Sequence, residues 1–330
     1  MEVQMDNMQN IIVCTVTFNS SLLIKKTIDA VFSQSYPVSR MIIVDNNSTE
    51  EHKERLKAYQ AQSDKIEIVW LNSNTGGAGG FHAAVEHAWN TYHPDWCWLM
   101  DDDAYPDERC LEILLQHKDS LDNVGFLAPV IYGIDNNKYQ LYHARVKRGY
   151  VYKFNAVSDA FENLKDIENI DVDAFVGVLI PGKVIEECGL PRAEYFIEGD
   201  DTDYCFRITR EHKGYLIRDA KMNHKDIAVS NGINPAGWWK QYYWFRNSIL
   251  FPHYNLKGVH KVVSILHFIA FAYKERIKMA KDERYQGYRS FRWKILRKGL
   301  IDGVLKKGGP RLLPGDYKAQ LAKLEKDMGK

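Results

Sequence analysis

A chain of 330 residues with 45% apolar and 26% charged residues has the composition of an ordinary soluble protein, long enough for one large domain with an appendage or for two domains. The net charge of +1 hides a division: from Lys257 onward there are 19 Lys/Arg against 7 Asp/Glu, a net +12, which leaves −11 on the first 256 residues. That places a boundary at 256/257, gives no reason to expect nucleic acid, and suggests an anionic surface or polymer as partner of the tail, although a solvated helical face explains many such tails.

The start, MEVQMDNMQN, lacks the basic-then-apolar order of a signal peptide. The run Ile11 to Phe18 reads as a buried, β-branched strand ending at Asn19-Ser20, Leu22 to Phe32 has helical spacing, and Met41 to Val44 is a second strand ending at Asp45-Asn46-Asn47-Ser48. Strand, helix, strand at this spacing is a βαβ unit with a parallel sheet, in which ligands gather at the carboxyl ends of the strands. The Asp45 to Ser48 stretch is as readily a plain turn as a ligand contact.

A helix over Glu50 to Gln60 and a strand over Ile66 to Leu71 lead to Asn72-Ser73-Asn74-Thr75-Gly76-Gly77-Ala78-Gly79-Gly80-Phe81. A glycine-rich loop opening a helix over Phe81 to Asn90 brings backbone N–H groups against phosphate, or else serves a turn and close helix–sheet packing. It is neither a dinucleotide fingerprint, since His82 stands where the third glycine belongs, nor a P-loop, since no G-K-[ST] follows.

Trp96-Cys97-Trp98-Leu99-Met100 is an apolar run of strand length that drives into Asp101-Asp102-Asp103. Alternation along a strand puts Asp101 and Asp103 on one side, where like charges repel unless a cation sits between them, and a hard divalent ion is the natural tenant. Alone, the triplet is equally well a solvated turn or a helix cap.

Further on, Pro106 to Leu121 reads as helix, Val124 to Ile131 as strand, residues 132–170 as an irregular or hairpin insertion, Phe175 to Ile180 as strand and Val184 to Cys188 as a short helix. In Tyr195-Phe196-Ile197-Glu198-Gly199-Asp200-Asp201-Thr202-Asp203-Tyr204-Cys205-Phe206-Arg207 a second acidic cluster begins a helix, whose dipole favours carboxylates there, and Asp203 and Arg207 stand four apart to pair. A strand at Tyr215 to Ile217 precedes Met222-Asn223-His224. Trp238 to Asn247 packs aromatics densely, as a helix with a ring-lined face or as core, and from Val259 the pattern is helical and basic. The stretch Val259 to Tyr273, broken by His260, Lys261, Ser264 and His267, is too short and polar to span a bilayer. Cys14, Cys97, Cys110, Cys188 and Cys205 form no C-x-x-C pair and read as reduced, structural and cytoplasmic.

Taken in order, CTVTFNS, IIVDNNS, NTGGAGGF, WLMDDDA, YFIEGDDTDYCFR and NHKD resemble the family 2 glycosyltransferases, within them the bacterial galactofuranosyltransferase and rhamnosyltransferase-like branch, over about Ile11 to Asn247. The resemblance implies a GT-A fold: an α/β, Rossmann-like, mostly parallel sheet flanked by helices in residues 1–256, followed by the basic, amphipathic helical region 257–330. It implies that Asp101, Asp103 and His224 hold Mn2+ or Mg2+ on the donor diphosphate. Thr17, Asn19, Asp45, Asn72, Gly76, Gly77, Gly79, Gly80 and Asp102 would form the donor site. Asp201 would act as catalytic base beside Asp200, and Trp238, Trp239 and Tyr243 would contact the acceptor. Most members carry Glu-Asp at the pair; Asp-Asp with the Gly-Gly-x-Gly-Gly-Phe loop looks most like galactofuranosyltransferases.

The function expected is therefore inverting, metal-dependent transfer from a UDP-sugar, UDP-galactofuranose first, to a lipid-linked or cell-surface glycan. The protein would be cytoplasmic and peripheral at the anionic inner face of the plasma membrane, with a homo-oligomer also allowed. The long polymerising members carry an extra β-domain before the catalytic fold; this chain begins close to the first strand, so a long-chain polymerase is not expected. Rhamnosyl transfer from dTDP-rhamnose, a sugar nucleotidyltransferase, and an inactive carbohydrate-binding module are the alternatives. The Arg/Lys-bearing loop of nucleotidyltransferases is missing after Val16, and the intact acids argue against a module.

Overall fold

Apolar, largely β-branched runs build the sheet. The computed structural model describes residues 8–225 and 233–329. The N-terminal half alternates β1 (Ile11–Thr17), α1 (Ile24–Phe32), β2 (Arg40–Asp45), α2 (Glu50–Gln60), β3 (Ile66–Trp70), α3 (Gly76–Tyr92) and β4 (Trp96–Leu99). There follow β5 (Ala104–Pro106), α4 (Cys110–Gln116), β6 (Val124–Gly133), the two-stranded ribbon β7 (Ala144–Lys147) and β8 (Lys153–Ala156), β9 (Ile167–Ile170), β10 (Val178–Pro181), α5 (Gly182–Cys188), α6 (Asp200–Ile208) and β11 (Lys213–His224). The chain continues in α7 (Trp238–Asn255), α8 (Gly258–Lys281), α9 (Arg289–Val304) and α10 (Pro314–Asp327).

The main sheet runs β3-β2-β1-β4-β10-β6-β11-β5, with β9 pairing β11. Strands β1 to β4 are mutually parallel, β11 is parallel to β6, and β10, β5 and β9 run antiparallel to their neighbours. The mostly parallel α/β sheet expected from the βαβ pattern is therefore present. Strand order reverses between β1 and β4, and an open α/β sheet opens a crevice at such a switch point. Both faces of β1 and β2 are covered, so their side chains read as unbroken apolar runs; Ile11, Val13, Met41, Ile43 and Trp98 share one buried cluster with α1 and α4 residues.

Two local expectations change. The helix foreseen over Pro106 to Leu121 is shorter, because Ala104–Pro106 is taken up as β5 against β11. The glycine-rich segment is not a loop before the helix; α3 already begins at Gly76. Its glycines have a packing reason, since a Cβ on Gly80 would stand 2.3 Å from Val16 Cγ1 and one on Gly79 2.5 Å from the Thr75 side chain. Gly77 meets nothing within 4 Å.

Two compact units divide the chain. One comprises the residues up to Val146, Phe154–Arg192 and the segment from Asp201 through β11; the other comprises Lys147–Lys153, Ala193–Asp200 and the helices from α7 onward. The boundary suggested by charge at residue 257 lies inside the second unit, because α7 shares buried clusters with α8, α9 and α10: Phe245 and Ile249 pack with Ala272, Leu296 and Leu300, and Tyr243 with Ile295 and Tyr317. No helix of the described residues is long and apolar enough to cross a membrane. All five cysteines are free thiols, and Cys14, Cys97, Cys110 and Cys205 are buried.

Candidate active site

At the carboxyl end of β4 the chain turns sharply. Strand β4 stops at Leu99, the Ala104 N–H donates to the Asp101 carbonyl at 3.2 Å, and the Thr27 hydroxyl of α1 donates to the Asp102 carbonyl at 2.7 Å. A pinned turn, rather than strand alternation, thus sets Asp101 and Asp103 side by side. The turn runs into β5, which pairs antiparallel with the end of β11 so that His224 stands opposite Ala104. That pairing delivers His224 Nε2 to 3.2 Å from Asp103 Oδ1 and 3.5 Å from Asp101 Oδ2.

One ligand atom from each of these three side chains falls within 4.8 Å of the others. Burial depresses the His224 imidazole, but hydrogen bonds and charge from Asp101 and Asp103 outweigh it and hold the group up at about 9. Asp102 is pushed up to about 7 by burial, with Asp103 and Asp101 adding to the rise and the Thr17 and Ser20 hydroxyls opposing it. Four ionisable groups therefore compete in one small space with an excess of negative charge, which a cation relieves. Tyr142 packs edge-on to His224, ring centroids 6.1 Å apart. Next to it His143 and Asp173 form a buried pair at 2.8 Å.

The loops after β1, β2 and β3 are knitted together beside this turn. Thr17 pairs in register with Asp45. Asp45 is fully buried and accepts from the Ser48 N–H at 3.1 Å. Asn19 and Asn47 adopt the left-handed backbone that Asn tolerates. Asn19 Oδ1 accepts from the Thr49 N–H at 2.9 Å. Asn46, which the sequence reading passed over, accepts from the Thr75 N–H at 2.8 Å and donates to the Gly76 carbonyl at 2.9 Å, so it ties the second loop to the start of α3. Of the residues expected at the donor, Thr17, Asn19, Asp45, Asp102 and Gly76 gather along this rim, Gly77 beside Gly76 faces open space, Asn72 is exposed in the loop before α3, and Gly79 and Gly80 are buried in packing.

Helix α6 starts with the acidic pair. Asp203, one turn in, is fully buried and anchored by Arg192 at 2.7 Å to both oxygens and by Arg207 Nε at 3.1 Å, the i,i+4 pairing expected from the sequence. Arg207 also donates to the Cys188 and Leu190 carbonyls. Asp203 thus holds the helix, leaving Asp200 and Asp201 as the acids of its first turn. Phe175 touches both Phe81 of α3 and Tyr204 of α6, which sets α6 beside the segment leading into β10.

Within the second unit, the segment before α6 is strained and held. Phe196 and Glu198 adopt left-handed backbone angles, φ 62° and 71°, which side-chain-bearing residues avoid. Two buried neighbours on α7 clamp them: Arg246 donates to the Glu194 and Tyr195 carbonyls at 3.0 and 2.6 Å, and Asn247 Nδ2 to the carbonyls of Tyr195, Ile197 and Glu198 at 3.0, 2.8 and 2.7 Å. Neither residue was singled out in the sequence; the only signal was Arg-Asn at the end of the aromatic run. That run is mainly core. Trp238 stacks on Tyr285 with Arg292 over its ring, and the Tyr243 hydroxyl accepts from the Arg311 and Leu312 N–H groups. Of the three rings expected at the acceptor, Trp238 is 3% exposed and Tyr243 fully buried, both packed in the core of their unit, and Trp239 is half-buried.

A family model described as glycosyl transferase family 2 matches residues 12–177, half of the chain. Galactofuranosyltransferase GlfT1 of Mycolicibacterium smegmatis is 29% identical over 209 residues, covering 60% of this chain and 66% of that protein. A putative teichuronic acid biosynthesis glycosyltransferase, TuaG of Bacillus subtilis, is 30% identical over 117 residues, 34% of this chain and 45% of its own. The match therefore spans just under two thirds of the first relative and less than half of the second. Among solved structures, S. aureus TarS 1-349 in complex with UDP-GlcNAc superposes with a TM-score of 0.55 at 13% identity, covering 89% of this chain and 81% of that one, a likeness of fold alone. By its matched model and the fold that carries it, the chain belongs to glycosyl transferase family 2.

Proposed function

We propose that this chain is an inverting, divalent-metal-dependent transferase that moves galactofuranose from UDP-galactofuranose onto a hydroxyl of a lipid-linked or cell-surface glycan. The observation that carries the reading is the Asp101–Asp103–His224 cluster at the switch point of the sheet. Two carboxylates and one imidazole make a predominantly hard donor set, which fits Mn2+ or Mg2+. When bound, such an ion would neutralise charge on the departing diphosphate.

The remaining work falls to the chain itself. Asp45, Thr17 and Asn19 line the loops that would receive the nucleoside, and the open space at Gly77 at the start of α3 gives a phosphate access to backbone N–H groups. Asp201 takes the proton from the attacking hydroxyl, and Asp200 orients the acceptor. Galactofuranose is favoured by the GlfT1 relative and by the Asp-Asp pair with the glycine-rich segment. The basic helices after residue 257 bring the protein to the anionic inner face of the membrane, where a lipid-linked acceptor is presented.

The test is UDP release from UDP-galactofuranose with an acceptor extract, with and without Mn2+, beside UDP-galactopyranose and dTDP-rhamnose. Turnover should require the metal, should be fastest with UDP-galactofuranose, and should fall with the Mn2+-induced thermal shift in Asp103→Ala. Faster turnover with dTDP-rhamnose would overturn the donor, and unchanged Mn2+ dependence in Asp103→Ala would overturn the metal site.

A further inference from the structure

Helix α8 is apolar on two opposite sides. Ser264, Ala272 and Met279 face the core of its unit, while Val259, Val262, Leu266, Tyr273 and Ile277 are each at least half exposed. At 100° per residue these five, with the exposed Ala270, fall on one side of the helix from Val259 to Ile277, turned away from the buried positions. A helix with apolar residues on both sides is expected to have both covered; on the outer side Trp293 of α9 touches Tyr273, ring centroids 5.4 Å apart, and the line still stays at least half exposed.

Charge says what covers it. Between Lys257 and Lys281 there are six basic residues and one acid, Glu275, which is largely buried and held by Lys278 at 2.7 Å. Beside the first turn of α8 lies a second element of the same chemistry, the loop Lys147–Lys153, whose sequence KRGYVYK has three cations and no acid. His260 of α8 bonds the Gly149 carbonyl at 2.9 Å and stacks on Tyr150, and Tyr150 is itself 72% exposed. An apolar line flanked by Lys and Arg, with tyrosines at its end, is the chemistry of a helix lying in the interface of a bilayer. A second copy of the chain fits poorly, since an isologous contact would set these cationic rows against each other.

We propose that the outer face of α8, with the Lys147–Lys153 loop, is the surface on which the protein docks onto an anionic phospholipid bilayer, its apolar line entering the headgroup boundary. This deepens the membrane placement proposed above, replacing general attraction of the basic region by one defined face. It also gives the loop between β7 and β8 a role.

The experiment is co-sedimentation of the full chain with vesicles of phosphatidylglycerol and phosphatidylcholine, against phosphatidylcholine alone. The protein should bind the anionic vesicles only. Val262→Glu/Leu266→Glu together, and Tyr150→Asp separately, should each weaken binding at least tenfold while melting temperature and UDP release in solution stay as in the unaltered protein. Variants that bind like the unaltered protein would remove this face and leave the broader membrane placement standing. An unaltered protein that ignores anionic vesicles removes both. If Leu266→Glu instead splits an oligomer in sedimentation while vesicle binding persists, the face belongs to a second copy and the proposal fails. Vesicle binding without UDP release from any nucleotide sugar would remove the transferase reading and leave the docking face intact.

Discussion

Asp201 and Asp200 sit together at the start of α6, where the positive end of the helix favours carboxylates. Their neighbour Asp203 is spent on two arginines and is not free to act as a base. Asp201→Asn should lower kcat by about 10² to 10⁴-fold, with the Mn2+-induced thermal shift and the donor KM retained. Asp200→Asn should instead raise the acceptor KM. Near-normal turnover in Asp201→Asn beside abolished transfer in Asp200→Asn would exchange the two roles. At this scale the sequence was informative where residues are adjacent, as in the Asp triplet and the Asp-Asp pair. His224 was accessible only through family resemblance, because β5–β11 pairing brings it to Asp103 from far along the chain. Tyr142 against its ring could not be foreseen, since ring contacts follow from that same long-range pairing.

At the scale of elements, β-branched runs identified the strands and their order of parallel units, while the aromatic and glycine-rich stretches left two readings open. Trp238 and Tyr243 resolve as core because α7 is surrounded by its own unit, and Gly80 resolves as packing because α3 lies directly on β1. What no local pattern revealed is the clamp of Arg246 and Asn247 on the turn before the acidic pair. The Ile197 and Glu198 carbonyls accept from the amide of Asn247, the Tyr195 carbonyl from Asn247 and Arg246 alike, and two residues of that turn hold left-handed angles that cost roughly 1–2 kcal/mol each. Asn247→Ala leaves the Ile197 and Glu198 carbonyls short of a donor, a loss of about 1–3 kcal/mol. It should lower kcat at least tenfold at a temperature where the protein stays folded, with the donor KM and the Mn2+ shift unchanged. If kcat falls only in proportion to the folded fraction seen by circular dichroism, the clamp supports stability and not the placement of Asp200 and Asp201.

For the whole molecule, the charge division at residue 257 marks a real chemical difference and falls inside the second compact unit. Charge reports what faces water, whereas a compact unit is set by what is buried, and α7 lies on the acidic side of the charge division while its contacts lie on the basic side. The Tyr242 hydroxyl donates to Asp302 at 2.6 Å, and that carboxylate also takes Lys298 at 2.7 Å. Burial is the first influence on Asp302, raising its proton affinity, yet Lys298 and Tyr242 reverse it and hold the carboxyl below its usual range. Arg246 is fully buried and bonds the Gly309 carbonyl besides the turn before α6. A chain ending at Leu256 therefore loses the apolar partners of Phe245, Ile249 and Tyr243 and strips a buried cation of one acceptor. Leaving a buried group short of a hydrogen-bond partner costs about 1–3 kcal/mol, and more where the group is charged, and a domain is stable by only about 5–15 kcal/mol. Such a chain should be insoluble, or show α7 unfolded by amide hydrogen exchange while β1 to β4 remain protected. If it is soluble, monomeric and melts cooperatively with α7 protected, residues 1–256 fold on their own and the boundary lies where the charge changes.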